Sequence, residues 1–400
     1  MNFLKKKDTL ASIAFFLILY LPPFGNVRYT TAIFLFWIPS LFSNKEYFRI
    51  KRITFFTIIM LALINLTKAI ANPSFFRDAL IYTFTPLLIV GGFIAGFTVS
   101  KYNRKVASNI LIGAIIIQSI ICIIQIFSPQ IGIIFSKIYS SEKYINMFLI
   151  WSNPRAVGSF GNGNYLGFFL VLSLFALFRY LKRSNIFLLL FSSIVIISVL
   201  TTRSRAAIGL FGLVLMFYFV FIFWNKIRYS KMALIIFPVS LFLLFLFMVF
   251  FLTQGPIIFE KISFLLGRGE KNYTSWKEVF TNRFYVWERA EIDLSNASEF
   301  LFGRTQETRV TLDNLYLLLM VRFGLIGTIV IVYFLLSLLI FNGLRIEIKS
   351  KLFGFALMIT FFISGIVADY WFNPFFTPIY MFLFGTIIQK RTNEQEVISE

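Results

Sequence analysis

Apolar runs about as long as a bilayer is thick recur along this chain, and short polar turns separate most of them. A helix needs roughly 20 mostly apolar residues to cross the hydrocarbon core of a membrane. On that basis we predict about twelve spans, with the approximate limits 9–24, 30–43, 53–70, 79–99, 106–127, 163–181, 186–202, 206–224, 232–252, 312–341, 352–370 and 374–389. The expected fold is an all-α polytopic membrane protein, in which residues 1–400 form a single integral membrane domain.

The composition agrees with a membrane protein and argues against a nucleic-acid partner. Of the 400 residues, 58% are hydrophobic and 14% are charged, whereas soluble domains carry about 25% charged residues. The formal net charge is +20, but the lysines and arginines stand mainly in the turns between apolar runs. This placement is typical of residues that orient a protein in a bilayer, not of a nucleic-acid surface.

The basic turns alternate along the chain, and this alternation predicts the topology, because cytoplasmic loops carry an excess of Lys and Arg. The basic positions are Lys5, Lys6, Lys7, Lys45, Arg49, Lys51, Arg52, Lys101, Arg104, Lys105, Arg179, Lys182, Arg183, Lys226, Arg228, Lys231, Arg345, Lys349, Lys351, Lys390 and Arg391. We therefore predict a multi-pass protein of the cytoplasmic membrane with both termini in the cytoplasm. The long connections 128–162 and 253–311 then lie outside the cytoplasm, and the second is a large extracytoplasmic loop.

Missing residue types exclude several kinds of chemistry. The chain contains no His and a single Cys, Cys122, so imidazole cannot serve as a general base or as a metal ligand. No zinc-protease motif, phosphate-binding loop or dinucleotide fingerprint is present, and a DxD-like motif is absent too. We therefore expect neither a metal site nor a cofactor.

Two segments place arginine beside apolar runs on the predicted outer side. The hairpin TTRSRAA contains Arg203 and Arg205, and the loop RAVGSFGNGN begins with Arg155 and ends with Asn164. Arginine binds phosphate oxygens through two N–H groups and keeps its charge in a low dielectric, so these arginines are candidate ligand-binding residues. The alternatives are arginines that only extend toward the membrane surface and an asparagine that only caps a helix.

A charged segment with a tryptophan, RFYVWER, lies in the predicted outer loop. Its pattern favours a helix from about 283 to 293, in which Arg283 and Trp287 share one face at a spacing of four residues. Glu288 and Arg289 follow in the same helix. Arginine and aromatic side chains together suit a sugar-phosphate ligand, and an amphipathic helix on the membrane surface is the alternative.

The apolar run 312–341 is longer than one span requires, and it opens with Asp313 and Asn314. We expect Gly324 and Gly327 to separate a short outer helix from the true span. A carboxylate at the outer end of a span can act as a general base toward a sugar hydroxyl, although Asp is also a favoured helix N-cap.

In order and spacing, these segments resemble the O-antigen ligase and polymerase family of bacterial surface-polysaccharide enzymes. The resemblance covers residues 150–330 and rests on RAVGSFGNGN, the Ser-Arg pair in TTRSR, Arg283 with Trp287, and Asp313-Asn followed after nine residues by GLIG. It implies a C-type glycosyltransferase fold. Lipopolysaccharide ligases carry His where this chain has Asp313, so the polymerase branch is the closer resemblance.

The resemblance implies an enzyme that joins oligosaccharide repeat units carried on undecaprenyl pyrophosphate at the outer face of the membrane. The expected substrate-binding residues are Arg155, Asn164, Arg203, Arg205, Arg283, Trp287, Arg289, Arg304 and Asn314. The arginines of the first two segments would hold the pyrophosphates, and those of the long loop would contact phosphate or sugar. Asp313 would accept the proton of the attacking hydroxyl, with Glu288 as a second candidate.

Two other activities stay open, a flippase for lipid-linked oligosaccharides and a ligase that moves a finished polymer to another acceptor. Flippases usually place polar residues at mid-membrane between repeated halves, and no half-to-half repeat is visible in this sequence. The expected partners are the lipid-linked glycan and membrane lipid, with a chain-length regulator and a flippase as candidate protein partners.

Overall fold

The computed structural model of this protein describes residues 7–22, 29–43, 47–102, 105–139, 142–149, 154–180, 186–204, 207–212, 296–304, 315–343 and 375–388. In these ranges the chain is mostly helical and contains no β-strand. The predicted spans 232–252 and 352–370, the predicted helix at about 283–293 and most of the loop 253–311 lie outside the described residues.

The apolar runs form helices because a helix satisfies its own backbone hydrogen bonds in a membrane. The described α-helices are, in chain order, α1 Lys7–Tyr20, α2 Ile38–Ser43, α3 Phe48–Ala71, α4 Phe76–Tyr102, α5 Lys105–Phe127, α6 Pro129–Tyr139, α7 Glu142–Leu149, α8 Gly163–Tyr180, α9 Ile186–Thr201, α10 Ala297–Phe302, α11 Leu315–Gly343 and α12 Phe376–Ile388. Short 3-10 helices occupy Tyr29–Trp37, Pro73–Phe75 and Gly158–Phe160, and residues 207–212 are helical as well.

Four of the described helices are long and apolar enough to cross a membrane, namely Phe48–Ala71, Phe76–Val99, Val106–Phe127 and Tyr316–Leu338. Shorter apolar helices occupy Thr31–Ser43, Gly163–Leu177, Leu189–Thr201 and Phe376–Ile387. The described part of the chain is therefore that of an all-α membrane protein, as the sequence predicted. The count of about twelve spans and the C-type glycosyltransferase fold stay predictions.

Two predicted segments differ from the structure. The predicted span 30–43 is a 3-10 helix up to Trp37 and an α-helix only from Ile38. Pro39 has no N–H group and cannot continue an α-helical hydrogen-bond ladder from the preceding turn. The connection 128–162, predicted only as a long link between spans, contains α6 and α7, and α6 begins at Pro129, where a missing N–H costs nothing.

The helices α4 and α12 approach each other backbone to backbone. A Cβ atom at Gly92 would overlap the carbonyl oxygen of Pro378, and one at Gly96 would overlap that of Phe382. Small residues at such a contact let membrane helices pack closely. Because the two contacts advance by four residues in both helices, α4 and α12 run parallel.

The end of α3, the start of α4 and the first half of α11 lie at one end of the bundle, as the directions of these helices show. The short segment 72–75 joins α3 to α4, so these two packed helices are antiparallel. Lys68 contacts the carbonyl of Arg322, and a Cβ atom at Gly327 would lie 3.3 Å from the Ile64 side chain. Hence α11 runs antiparallel to α3. We call the end at which α3 ends and α4 begins the upper end.

The start of α8 lies deeper in the bundle than the upper end. The ring of Tyr165 stacks on that of Phe376 with 5.2 Å between centroids, and Phe160 also contacts Phe376. Phe376 opens α12, which begins beside Gly92 in the middle of α4. The loop before α8 therefore lies level with the middle of a membrane-spanning helix.

Candidate functional site

The loop 154–162 is buried backbone held by side chains of α5. The N–H groups of Val157 and Gly158 donate to Gln125 Oε1 at 3.1 and 3.0 Å, and Ser159 Oγ donates to Gln118 Oε1 at 3.0 Å. Non-helical backbone at membrane depth needs such partners, because an unsatisfied polar group is costly in an apolar environment. Two glutamines in a mainly apolar helix thus explain how a glycine-rich loop can exist at this depth.

Arg155 ties this loop to the hairpin that follows α9. Its Nε donates to the carbonyl oxygen of Thr202 at 3.0 Å, and its Nη2 donates to Asn164 Oδ1 at 3.0 Å. Ser204 Oγ donates to the same Asn164 oxygen at 2.9 Å. We call Arg155, Asn164, Thr202 and Ser204 the hairpin network. It brings two predicted residues, Arg155 and Asn164, together with the serine of the Ser-Arg pair.

The network argues against one of the two roles considered for Asn164, that of a helix cap. The N-cap of α8 is Asn162, whose Oδ1 accepts from the backbone N–H of Asn164 at 2.8 Å. The side-chain oxygen of Asn164 serves Arg155 and Ser204 instead. Asn164 is therefore a bridging residue between two segments and not the cap of its helix.

The glycines of the motif allow α8 to start against the hairpin. A Cβ atom at Gly163 would lie 3.1 Å from the carbonyl oxygen of Ala156 and 3.2 Å from that of Thr202. One at Gly167 would lie 2.5 Å from the Cβ of Ala207. Larger residues would separate the loop, the helix and the hairpin, so the network depends on both glycines.

Arg203 adopts a strained backbone conformation at the tip of the hairpin. Its φ is 49°, the one positive φ of a non-glycine residue in the described ranges, and side chains other than Gly rarely occupy this region. Its side chain is half-buried, and burial lowers the pKa of its guanidinium from the usual value. Strain held at a charged residue points toward function. Arg205 lies outside the described residues.

An Arg203→Gly variant is expected to separate stability from activity. Glycine removes the left-handed strain of about 1–2 kcal/mol but adds about 0.5–1 kcal/mol of unfolded-state entropy, so the two effects offset. We expect a thermal unfolding midpoint near that of the unaltered protein, and loss of the activity proposed below. Arg203→Lys is the charge-retaining control. Full activity in the glycine variant would show that the guanidinium has no functional role.

A second cluster surrounds a break in α11. Gly324 has φ 65° and ψ −171° inside this helix, and the break leaves carbonyl groups of the preceding turn without helical partners. The backbone N–H of Arg304 donates to the carbonyl oxygen of Val321 at 2.8 Å, and Lys68 Nζ donates to that of Arg322. The predicted break thus lies at Gly324, whereas Gly327 is inside the continuing helix.

The end of α10 packs into this break. A Cβ atom at Gly303, whose φ is 80°, would lie 2.7 Å from the backbone nitrogen of Gly324. A Cβ atom at Gly324 would overlap the backbone of Leu301 and Phe302. The last described part of the predicted outer loop therefore docks against the GLIG motif, backbone to backbone.

Charged side chains gather around the break. Lys68 is 2% exposed, Arg322 Nη1 donates to the hydroxyl of Tyr82, and Arg304 Nε lies 3.9 Å from Glu299 Oε2. We call Lys68, Tyr82, Glu299, Arg304 and Arg322 the kink cluster. Of these, the sequence predicted Arg304 alone. A cation inside a predicted span is the signal that could have identified Lys68 and Arg322.

The other predicted site residues lie outside the described residues, and their roles stay predictions. They are Arg205, Arg283, Trp287, Glu288, Arg289, Asp313 and Asn314. Within the described ranges, no three Asp, Glu or Cys side chains form a group that could hold a metal ion.

No protein-family model, curated protein or solved structure matches this chain. Its function must therefore be inferred from its own motifs and from the two clusters. The hairpin network and the kink cluster both consist of residues from segments far apart in sequence. Both contain arginine in a mainly apolar bundle, where an ionisable side chain is costly and usually functional.

Proposed function

We propose that this chain is a polysaccharide polymerase of the O-antigen polymerase type. It would join lipid-linked oligosaccharide repeat units at the outer face of the cytoplasmic membrane. The observation that carries the proposal is the hairpin network, in which Arg155 and Asn164 of the first motif bond to Thr202 and Ser204 of the second. Motif segments that form one site in an enzyme are expected to meet in this way.

The kink in α11 adds a second line of support. Asp313 and Asn314 stand just before α11, and the GLIG motif includes the broken position Gly324. Docking of Gly303 and Arg304 into that break brings the end of the predicted outer loop beside the motif. The long loop and the final motif would therefore act as one unit in the reaction.

The proposed reaction is a glycosyl transfer between two undecaprenyl-pyrophosphate-linked glycans. A hydroxyl oxygen of the acceptor sugar forms a bond to the anomeric carbon of the donor glycan, and the bond from that carbon to the pyrophosphate oxygen breaks. Asp313 would take the hydroxyl proton, with Glu288 as the second candidate. Arg203 and Arg205 would neutralise the charge that develops on the leaving pyrophosphate.

The network supports a more specific role for Arg155. Two of its guanidinium nitrogens already donate within the protein, so we regard it as a positioning residue that orients the hairpin carrying Arg203 and Arg205. A lysine at this position has its donors on a single nitrogen and lacks the planar fork with which Arg155 reaches both oxygens.

Isolated membranes supplied with lipid-linked repeat units test the proposal. Arg205→Ala and Asp313→Ala are each expected to lower polymerisation roughly 100-fold or more, because each removes charge stabilisation or proton transfer in the transition state. Arg52→Ala, at the opposite end of α3, is the control. Translocation without polymerisation would indicate the flippase, and transfer to another acceptor the ligase. Normal long chains from both inserted variants would contradict the assignment of these residues.

A further inference from the structure

The kink cluster carries more positive than negative charge. Lys68, Arg304 and Arg322 are cationic, and Glu299 is the carboxylate described beside them. Glu299 pairs with Arg304 at 3.9 Å and also attracts Lys68, so in the described part of the chain one carboxylate faces three cations. Two neighbouring cations in a mainly apolar bundle are costly unless an anion accompanies them.

A structural role explains Lys68 in part. The carbonyl of Arg322 lies at the end of the first half of α11, where the helix dipole is negative and a cation is favourable. Lys68 donates to that carbonyl, so it caps the broken helix. This contact occupies one of the donors of an ammonium group.

The same explanation does not account for Arg322. Its guanidinium carbon lies 5.0 Å from the centre of the Tyr82 ring, and its Nη1 donates to the Tyr82 hydroxyl. In the ranges that the structure describes, this is its one hydrogen bond. A guanidinium has five N–H donors, and that of Arg322 is only partly buried. Its remaining donors can therefore bond to a ligand, and the buried Lys68 adds positive charge nearby.

The position of the cluster indicates the class of ligand. Lys68 lies in the last turn of α3 and Tyr82 in the second turn of α4, within about 10 Å of the helix ends at 1.5 Å per residue. Lipid headgroups lie at the ends of such spans, just outside the hydrocarbon core, and long basic side chains near a helix end can extend to them. Arginine and lysine beside a tyrosine ring offer charge-assisted bonds to phosphate oxygens.

We propose that Arg322 and Lys68 form a second phosphate-binding site, distinct from the hairpin network, for the phosphate group of a membrane lipid. The identity of that lipid rests on the proposed function. In polymerisation both substrates carry a pyrophosphate, one of which leaves while the other stays attached to the growing chain. The hairpin arginines bind one pyrophosphate, and the kink cluster binds the other.

Binding to the purified full-length protein in detergent tests this site. The probe is undecaprenyl pyrophosphate, with phosphatidylglycerol and inorganic pyrophosphate as competitors, and bound lipid is counted by native mass spectrometry. Arg322→Gln is expected to weaken binding at one of two sites by about tenfold or more. Arg322→Lys retains the charge and keeps most of the affinity, and Arg52→Gln is the matched control.

The competitors distinguish the sources of phosphate. If only undecaprenyl pyrophosphate binds in an Arg322-dependent way, the occupant is the lipid-linked substrate. If phosphatidylglycerol competes equally, the site still binds phosphate but its occupant is ordinary phospholipid. The inference is overturned if a folded Arg322→Gln variant binds every lipid as tightly as the unaltered protein does. Lys68→Gln is a second variant with the same expected direction.

A polymerisation assay on the same preparations separates this inference from the proposed function. If the unaltered protein binds through Arg322 but makes no polymer, the site stands and the proposed function fails. If it makes polymer, and Arg322→Gln changes neither binding nor polymer length, the site fails and the proposed function stands.

Discussion

A Gly324→Ala variant is expected to lose roughly 3–5 kcal/mol of stability and its activity. The backbone at Gly324, with φ 65° and ψ −171°, belongs to a region that essentially only glycine occupies, and strain there costs about 1–3 kcal/mol. In addition, the new Cβ atom would overlap the backbone of Leu301 and Phe302. Either α10 is displaced or the break straightens. The thermal unfolding midpoint in detergent and the yield of polymer would both fall.

Gly113→Ala is the matched control for this variant. Gly113 lies inside α5, and a Cβ atom there would have nothing within 4 Å. The same substitution should therefore stabilise the protein by about 0.5–1 kcal/mol, because alanine favours a helix over glycine. Equal unfolding midpoints for the two variants would show that the break at Gly324 does not need glycine.

An Arg155→Ala variant is expected to have the second-largest effect, through the hairpin network. It removes the donors to Thr202 and Asn164 and leaves their oxygens less satisfied in a buried setting, which costs roughly 2–4 kcal/mol. The hairpin with Arg203 would lose its fixed position. We expect a lower unfolding midpoint and a drop in polymerisation of roughly 100-fold. Arg155→Lys should not restore either property.

Two substitutions at Asn164 test whether the network itself is responsible. Asn164→Asp keeps the oxygen that accepts from Arg155 and Ser204 and adds a negative charge that pairs with the Arg155 guanidinium, so its unfolding midpoint should equal or exceed that of the unaltered protein. Asn164→Leu removes the acceptor and should resemble Arg155→Ala. If Asn164→Leu were as stable as Asn164→Asp, the bonds to Arg155 and Ser204 would not stabilise the hairpin.

Much of the helical structure could be predicted because hydrophobic runs are local signals. The predicted spans 106–127 and 163–181 differ little from α5 and α8, and the predicted break in the last long run lies at Gly324. The helices α6 and α7 were not predicted, because they lie in a connection too polar to be a span and too short for a clear periodic pattern. Amphipathic segments of this length gain most of their helical stability from packing.

The site was only partly predictable. The sequence identified Arg155, Asn164 and Arg203 as candidates, but it left their partners open. It did not indicate that Gln118 and Gln125 hold the glycine-rich loop, since a glutamine inside an apolar run has many structural roles. Nor did it pair Lys68 with Arg322, residues that meet only because α3 and α11 are antiparallel neighbours.

By itself the sequence determined that this is an all-α membrane protein with arginine-bearing loops between its helices. That information is local, because the bilayer requires each span to be long and apolar and to satisfy its own backbone hydrogen bonds. Only the tertiary structure decided that Arg155 bonds to the hairpin, that α11 breaks against α10, and that Lys68 lies beside Arg322. These pairings depend on which helices pack together, and the free energy of packing comes from contacts between residues far apart in the chain.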